Sequence, residues 1–442
     1  MRMLSMVAFA LVYATSAAAQ AGGIFPFDYR LVELENGFKA YLIKAGAPGQ
    51  IAYVSIVRTG SRDEVEPGKS GFAHFFEHMM FRGTHKYPNY DLITSQMGAS
   101  RNAFTSNDLT VYYLVASNEY LEQIVDLESD RFRNLNYDEP GFRTEAGAIL
   151  GEYMQGALSP GRYLNERVRS LAYDRHTYGH TTIGYEADVR AMPEAYDYSL
   201  SFYQRFYRPE NVVLVLAGDF EYEETEQLIR QYYSAWEPGY VPPNITAEPI
   251  QRRTRRQTVR YPGRTLPVLS VNYKAPAWSA TDKLAIATEV LGEVAFGSNS
   301  DIYKKLVIDE QRVQYLFGDF GLARDPALVQ VQTMVIDPDD VPAVQREIQS
   351  AVDRAREELA DAQLLADTKS AMKYGFLMGL ETAQNVAFAM IPYVVNTGGI
   401  EAVDEYYGTL DSITAEDVRQ AARTYLVDSG KTVVLMVQEG GE

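Results

Sequence analysis

The order of apolar and polar positions divides the chain into short strands and amphipathic helices. From Leu31 to Val57 two β-rich runs flank the turn Glu35-Asn36-Gly37, and Ile51 to Val57 closes the region with a run of strand formers. Ser70 supplies an N-cap for an apolar-periodic stretch that stops at Gly83, which predicts one short helix. Asn102 to Ser117 alternates and carries Val111, Tyr112, Tyr113 and Val115, so it reads as a strand. Asn118 to Leu135 then reads as a helix, and a further helix runs from Phe142 to Gln155 behind Pro140. Val212 to Leu216 is a short apolar strand, followed by an amphipathic helix from Tyr222 to Tyr233.

The pattern breaks at Glu237 to Asn244, where Pro238, Pro242 and Pro243 with Gly239 exclude both helix and sheet interior and mark a linker. After it the order of elements starts again. Val268 to Tyr273 reads as a strand, Asp282 to Val294 as a helix, and Lys431 to Val437 as a strand resembling Val212 to Leu216. The reading is a weak internal duplication, with domains at 20–236 and 256–442 joined by 237–255. A length of 442 residues suits two domains better than one core.

Residues 1–19 add a different signal. Arg2, an apolar run from Leu4 to Ala14 and the small residues Ser16 to Ala19 form the three-part pattern of a secretory signal peptide, with cleavage near Ala19 and a periplasmic product. The apolar run is shorter than a membrane-spanning helix needs, and no later segment is long and apolar enough to span.

Composition narrows the chemistry. The chain has no cysteine, so any metal must sit on His, Asp or Glu. Its net charge of -18 disfavours nucleic acid, whose phosphates call for Lys and Arg.

The helix expected after Ser70 carries His74, Glu77 and His78. A four-residue step on an α-helix leaves two imidazoles about 40° apart around the axis and one turn up, so both reach one ion. Glu77 neighbours the same face, where a carboxylate can approach a water at the metal without displacing a ligand. Glu145 and Glu152 lie seven residues apart on the later helix, about 20° off one line, so either can be the third ligand. Two imidazoles and one carboxylate form a catalytic zinc set with a fourth position open. The metal would polarise a substrate carbonyl and acidify the water; Glu77 would take its proton and hand it to the departing amine. The alternative, ordinary histidines beside a solvated glutamate, has to meet the fact that the chain has five histidines in all. The others, His85, His176 and His180, lack ligand spacing and read as structural or surface groups. The helix after Val268 has no histidine, so only the first half can hold the metal.

At these residues the sequence resembles the pitrilysin-like (inverzincin, M16) zinc metallopeptidases, and within them the short two-domain, zinc-bearing type typified by the mitochondrial processing peptidase beta subunit. The segment Gly71 to Thr84 resembles the family's zinc helix, and Gly98-Ala99 with Asn102-Ala103-Phe104-Thr105 the strand that follows. His176-Thr177-Tyr178-Gly179, Phe206 to Asn211 and Gly218-Asp219 are further marks. The resemblance implies an α/β (α+β) fold of two similar domains, each an antiparallel sheet with helices on one side, together half of a clamshell. It implies His74, His78 and Glu152 as ligands of one Zn2+, Glu77 as base, and Glu145 as the carboxylate orienting a ligand histidine. Asn102 and Ala103 would lie on an edge strand that pairs with the substrate main chain. Tyr315 matches a substrate-contacting tyrosine, whereas Ile308 occupies the place of the arginine seven residues before it; Arg312 is nearby. The implied function is a zinc-dependent endopeptidase or oligopeptidase acting on peptides. The implied partner is a homologous subunit without zinc that carries the arginine and tyrosine, with a homodimer as the alternative. A structural or assembly subunit of the same fold, or a module that traps peptides without cleaving them, is the rival reading.

Overall fold

The computed structural model describes residues 23–440; the signal-peptide reading of residues 1–19 lies outside them. Eleven strands build two sheets. The first contains β1 (Tyr29–Glu33), β2 (Lys39–Lys44), β3 (Gln50–Val57), β4 (Ser100–Thr105), β5 (Thr110–Ser117) and β6 (Val212–Gly218), in the order β1-β2-β6-β3-β5-β4. The second contains β7 (Arg255–Tyr261), β8 (Val268–Lys274), β9 (Val313–Asp319), β10 (Leu328–Val335) and β11 (Lys431–Gln438), in the order β7-β11-β8-β10-β9. Leaving out β1, the two orders are the same, and in each the last strand of the half inserts parallel to the first and antiparallel to the second. The halves are therefore two copies of one architecture, each antiparallel except for that single inserted pair.

Period-two alternation explains the layers. On β3, Ile51, Tyr53 and Val57 face helices of the first half, including Phe72–Met79, while Ala52, Val54 and Ile56 join the core of the second half. Each sheet thus carries its own helices on one face and is covered on the other by a helix of the opposite half. Ala383–Ala389 lies on β3 and β6, and Pro160–Ala172 lies on β7 and β11. The architecture implied by the family resemblance, two similar domains each with an antiparallel sheet and its helices packed on one side, is what the chain adopts, and the helix from the opposite half covers the other side.

Two local expectations are corrected. Asn102 to Ser117 is not one strand but the hairpin β4–β5, turned at Ser106-Asn107-Asp108, with Ser106 N–H donating to Leu109 C=O at 2.9 Å. The helix over the histidines spans Phe72–Met79 with Gly71, not Ser70, at its N-cap. Gly71 has φ 94, a left-handed backbone, and a Cβ there would lie 2.5 Å from Ile183 O. The Ser70 hydroxyl instead donates to Asp188 at 2.6 Å. The free N–H groups of Gly71 and Ala73 donate to the buried Glu64 carboxylate, each at 2.7 Å, which caps the helix from outside.

Candidate metal centre

Phe72, Phe75, Phe76 and Met79 anchor the short helix in the first core, which turns His74, Glu77 and His78 to the opposite face. The helix Glu139–Gly156 crosses it and buries Phe142, Ala146, Ile149 and Tyr153, so that Glu145 and Glu152 project toward the histidines. Glu152 Oε2 lies 3.6 Å from His74 Nε2 and 3.5 Å from His78 Nε2. Those separations are long for hydrogen bonds and close to the ~3.3 Å between neighbouring ligand atoms around a tetrahedral zinc with bonds of about 2.0 Å. The donor set fits a zinc ion, and Glu152 is half exposed, which leaves a side of the group open to solvent.

Glu145 takes a different place. His78 Nδ1 donates to its Oε1 at 2.9 Å, which fixes the tautomer that leaves Nε2 free to bind metal. Arg82 donates to the other Glu145 oxygen through Nε at 3.1 Å and also through Nη2. Glu145, then Glu152, push His78 up to about 9, whereas burial draws His74 down to about 4. His74 Nδ1 is buried and has no hydrogen-bond partner among the described residues.

Glu77 sits beside the cluster and accepts from the Thr105 hydroxyl on β4 at 2.6 Å. Burial raises its pKa above the ordinary glutamate range, with the Thr105 bond working against that. Glu77, His78, Glu145 and Asn102 line one open cleft of about 450 Å³ with Phe81, Arg82 and Asp91. Asn102 is exposed on β4, the edge strand of its sheet, and its side-chain oxygen accepts from Ala103 N–H at 2.9 Å; Ala103 itself is buried.

Among the described residues, the second half contributes nothing to this cluster. Tyr315 lies on the edge strand β9, where its hydroxyl accepts from Gln332 Nε2 at 3.1 Å. Ile308 is exposed, on the helical turn Lys304–Asp309 that precedes β9. Arg312 and Tyr315 do not share a helix: Arg312 stands in the link between that turn and β9, bonded to Glu310 at 2.8 Å and Asp340 at 3.4 Å. Sequence reasoning missed Thr105, Arg82 and Glu64. The first two had a signal, since Thr105 is two strand residues from Ala103 and Arg82 is four residues from His78. Glu64 had none, because a loop brings it to the helix.

Two sequence profiles cover the chain: "Insulinase (Peptidase family M16)" over residues 42–186 and "Peptidase M16 inactive domain" over 195–372. The chain belongs to the M16 peptidase family. Among M16 relatives, it is 25% identical to the zinc protease PqqE of Helicobacter pylori over 96% of each chain. It is 24% identical to the beta subunit of the mitochondrial-processing peptidase of Bos taurus, over 95% of this chain and 86% of that one. The crystal structure of a protease from Helicobacter pylori superposes with a TM-score of 0.86 at 24% identity, covering 93% of this chain and 99% of that one. The description of the second profile suits a half whose helix after β8, Lys283–Phe296, has no histidine.

Proposed function

We propose that this M16 chain is a zinc-dependent endopeptidase or oligopeptidase. The observation that carries the reading is the convergence of His74 Nε2, His78 Nε2 and Glu152 Oε2 beside the half-buried Glu77. His74, His78 and Glu152 would hold the ion, and Glu145 with Arg82 would hold His78 in its working tautomer. Zinc, when bound, would supply Lewis acidity for the scissile carbonyl and for water. Glu77 would accept a proton from that water and deliver it to the leaving amine, with Thr105 keeping the carboxylate aimed. Asn102 and Ala103 on the exposed edge of β4 would align the substrate main chain by added pairing, a mode that tolerates varied sequences.

The zinc-bearing unit is assigned to residues 20–236 and the unit without zinc to 256–442, joined by 237–255. Tyr315 is assigned to the substrate, in the chamber that two such half-clamshells would enclose. Ile308 favours a heterodimer with a homologous subunit that supplies the arginine, and Arg312, already bonded to two carboxylates, is poorly placed to replace it in a homodimer. The signal-like residues 1–19 favour the periplasm.

The test is zinc content and turnover measured on the same samples of Glu77→Gln and His74→Ala. The first should keep stoichiometric zinc and lose roughly a hundredfold or more in turnover; the second should lose zinc. Full turnover in Glu77→Gln would remove Glu77 as the base, and stoichiometric zinc with no turnover in the unmodified chain, alone or with its homologous partner, would leave a scaffold or trapping subunit as the better reading.

A further inference from the structure

The segment His176-Thr177-Tyr178-Gly179 lies outside the metal cluster, and three of its side chains build a joint between the halves. The other side of the joint is the loop between β9 and β10, which brings Arg324 and Asp325 of the second half onto the first. His176 Nδ1 accepts from Tyr178 N–H at 3.0 Å, so Nε2 carries the proton and donates to Asp325 at 3.0 Å. Asp325 also accepts from Arg62 Nε at 2.6 Å, and the Thr177 hydroxyl donates to Arg62 C=O at 2.6 Å. Between them the Tyr178 hydroxyl accepts from Asp325 N–H at 3.2 Å and donates to Asp108 at 2.6 Å. The second Asp108 oxygen accepts from Arg324 N–H at 3.1 Å.

Asp108 belongs to the turn of the β4–β5 hairpin, and the rest of that turn is gripped as well. Ser61 N–H donates to Ser106 C=O at 3.2 Å and Arg62 N–H to Asn107 C=O at 2.8 Å. Arg169 Nη1 donates to Asn107 Oδ1 at 3.2 Å and to Tyr178 C=O at 3.1 Å, binding the turn to the same segment. Tyr178 and Asp108 are both buried, so water does not compete for the bond between them. Thr105 directly precedes the turn, and its hydroxyl donates to Glu77 at 2.6 Å. A run of direct contacts therefore leads from Asp325 of the second half through Tyr178 and Asp108 to the turn, and from there along β4 to Glu77.

We propose that Tyr178 is a positioning residue: it fixes the β4–β5 turn against the second half and so holds Thr105, and through Thr105 the Glu77 carboxylate, in the working arrangement. The role of Glu77 rests on the peptidase reading; the mechanical link does not. A hydroxyl to carboxylate bond is lost when its atoms part by ~1 Å, so a small displacement of the turn is enough to release Glu77. The half without histidines on its helix thereby takes part in the chemistry of the other.

The experiment uses the full chain and two variants. Tyr178→Phe removes both hydroxyl bonds at nearly constant shape; Asp325→Ala removes the acceptor of Arg62 and His176 from the second half, and decides the matter if Tyr178→Phe does not fold. Tyr163→Phe is the control, since its hydroxyl also crosses the halves but donates to Arg260 C=O at 2.9 Å, away from the turn. Hydrogen exchange of the protected amides in Ser100–Thr105 should quicken about tenfold in both variants and stay unchanged in the control. Turnover should fall about fivefold in kcat in Tyr178→Phe, yet less than about twofold when the same change is made in Thr105→Val, where the link is already cut. Unchanged exchange at β4 in the folded variants, an unchanged kcat, or a loss that multiplies undiminished with that of Thr105→Val would overturn the proposal. If the unmodified chain has no turnover, the peptidase reading fails, and the exchange result still decides whether the joint holds β4.

Discussion

The Thr105 hydroxyl donates to the Glu77 carboxylate across 2.6 Å, from the edge strand β4 to the helix Phe72–Met79. The bond links the strand proposed to hold the substrate to the residue proposed to move the proton, and it favours the charged form of Glu77. Thr105→Val removes the donor at nearly constant shape. The Glu77 pKa should rise, so the acid limb of the kcat/KM profile should move to higher pH, with roughly a tenfold loss near neutrality. An unmoved acid limb would mean that the limb reports another group.

Glu145 should act through His78 without touching the metal. Replacing it with Ala removes the acceptor for His78 Nδ1 and frees Arg82, so zinc affinity should fall by about 10–100-fold while the fold persists. A chelator competition series reads this directly. If Glu145 were itself the third ligand, Glu145→Ala would lose zinc altogether and Glu152→Ala would not.

Helix geometry alone could not draw that distinction, and in the sequence only the family resemblance favoured Glu152 as ligand with Glu145 behind His78. His74 and His78 were legible because an α-helix has one geometry, and a four-residue step places both imidazoles on one face. Glu145 and Glu152, seven apart, share nearly the same direction, so helix geometry left both open; only the crossing of the two helices sets Glu152 against both Nε2 atoms and Glu145 against Nδ1. The repeated strand and helix order was readable from Val268, Asp282 and Lys431 onward. The exchange of Pro160–Ala172 and Ala383–Ala389 between halves was not, because an amphipathic stripe shows that a face is buried without showing against what.

Gly71 ties the metal helix to the loop at Ile183 and has no room for a side chain. Gly71→Ala combines a left-handed backbone with a Cβ at 2.5 Å from a carbonyl oxygen, and should cost about 2–4 kcal/mol. The helix N-terminus would also lose register with Glu64, so the variant should bind zinc more weakly as well as melt earlier. Unchanged melting would show that the loop yields freely.

Glu289 gives the second half a pH-dependent stability. Burial pushes its pKa up to about 7 from an ordinary 4.5, with Tyr406 donating to it at 2.7 Å. A carboxyl with a raised folded pKa binds its proton more tightly in the native state. Its contribution is therefore full below about pH 4.5 and is lost as pH rises through about 7. Glu289→Gln keeps the acceptor for Tyr406 and removes the charge, so it should stabilise at pH 8 by up to roughly 3 kcal/mol and change little at pH 4.5. Denaturant midpoints at the two pH values test this; equal effects at both would mean that the group stays charged.

The last prediction concerns Ile308. An arginine fork at that place would grip a peptide carbonyl or carboxylate by charge-assisted hydrogen bonds, which isoleucine cannot do. Loss of one such donor commonly costs about a hundredfold or more in turnover. Arg312 stands four residues on, but its bonds to Glu310 and Asp340 would have to break before it reached a substrate. The purified chain alone should therefore turn over an unstructured peptide slowly, and a homologous subunit with arginine and tyrosine seven apart should raise the rate. Replacing the partner's arginine should remove the gain. Because Ile308 is exposed, Ile308→Arg should fold, and if two copies of this chain pair in the absence of the partner it should recover part of the missing rate. Full activity of the unmodified chain alone, unchanged by the partner, would rule the heterodimer out and require another cation at the site.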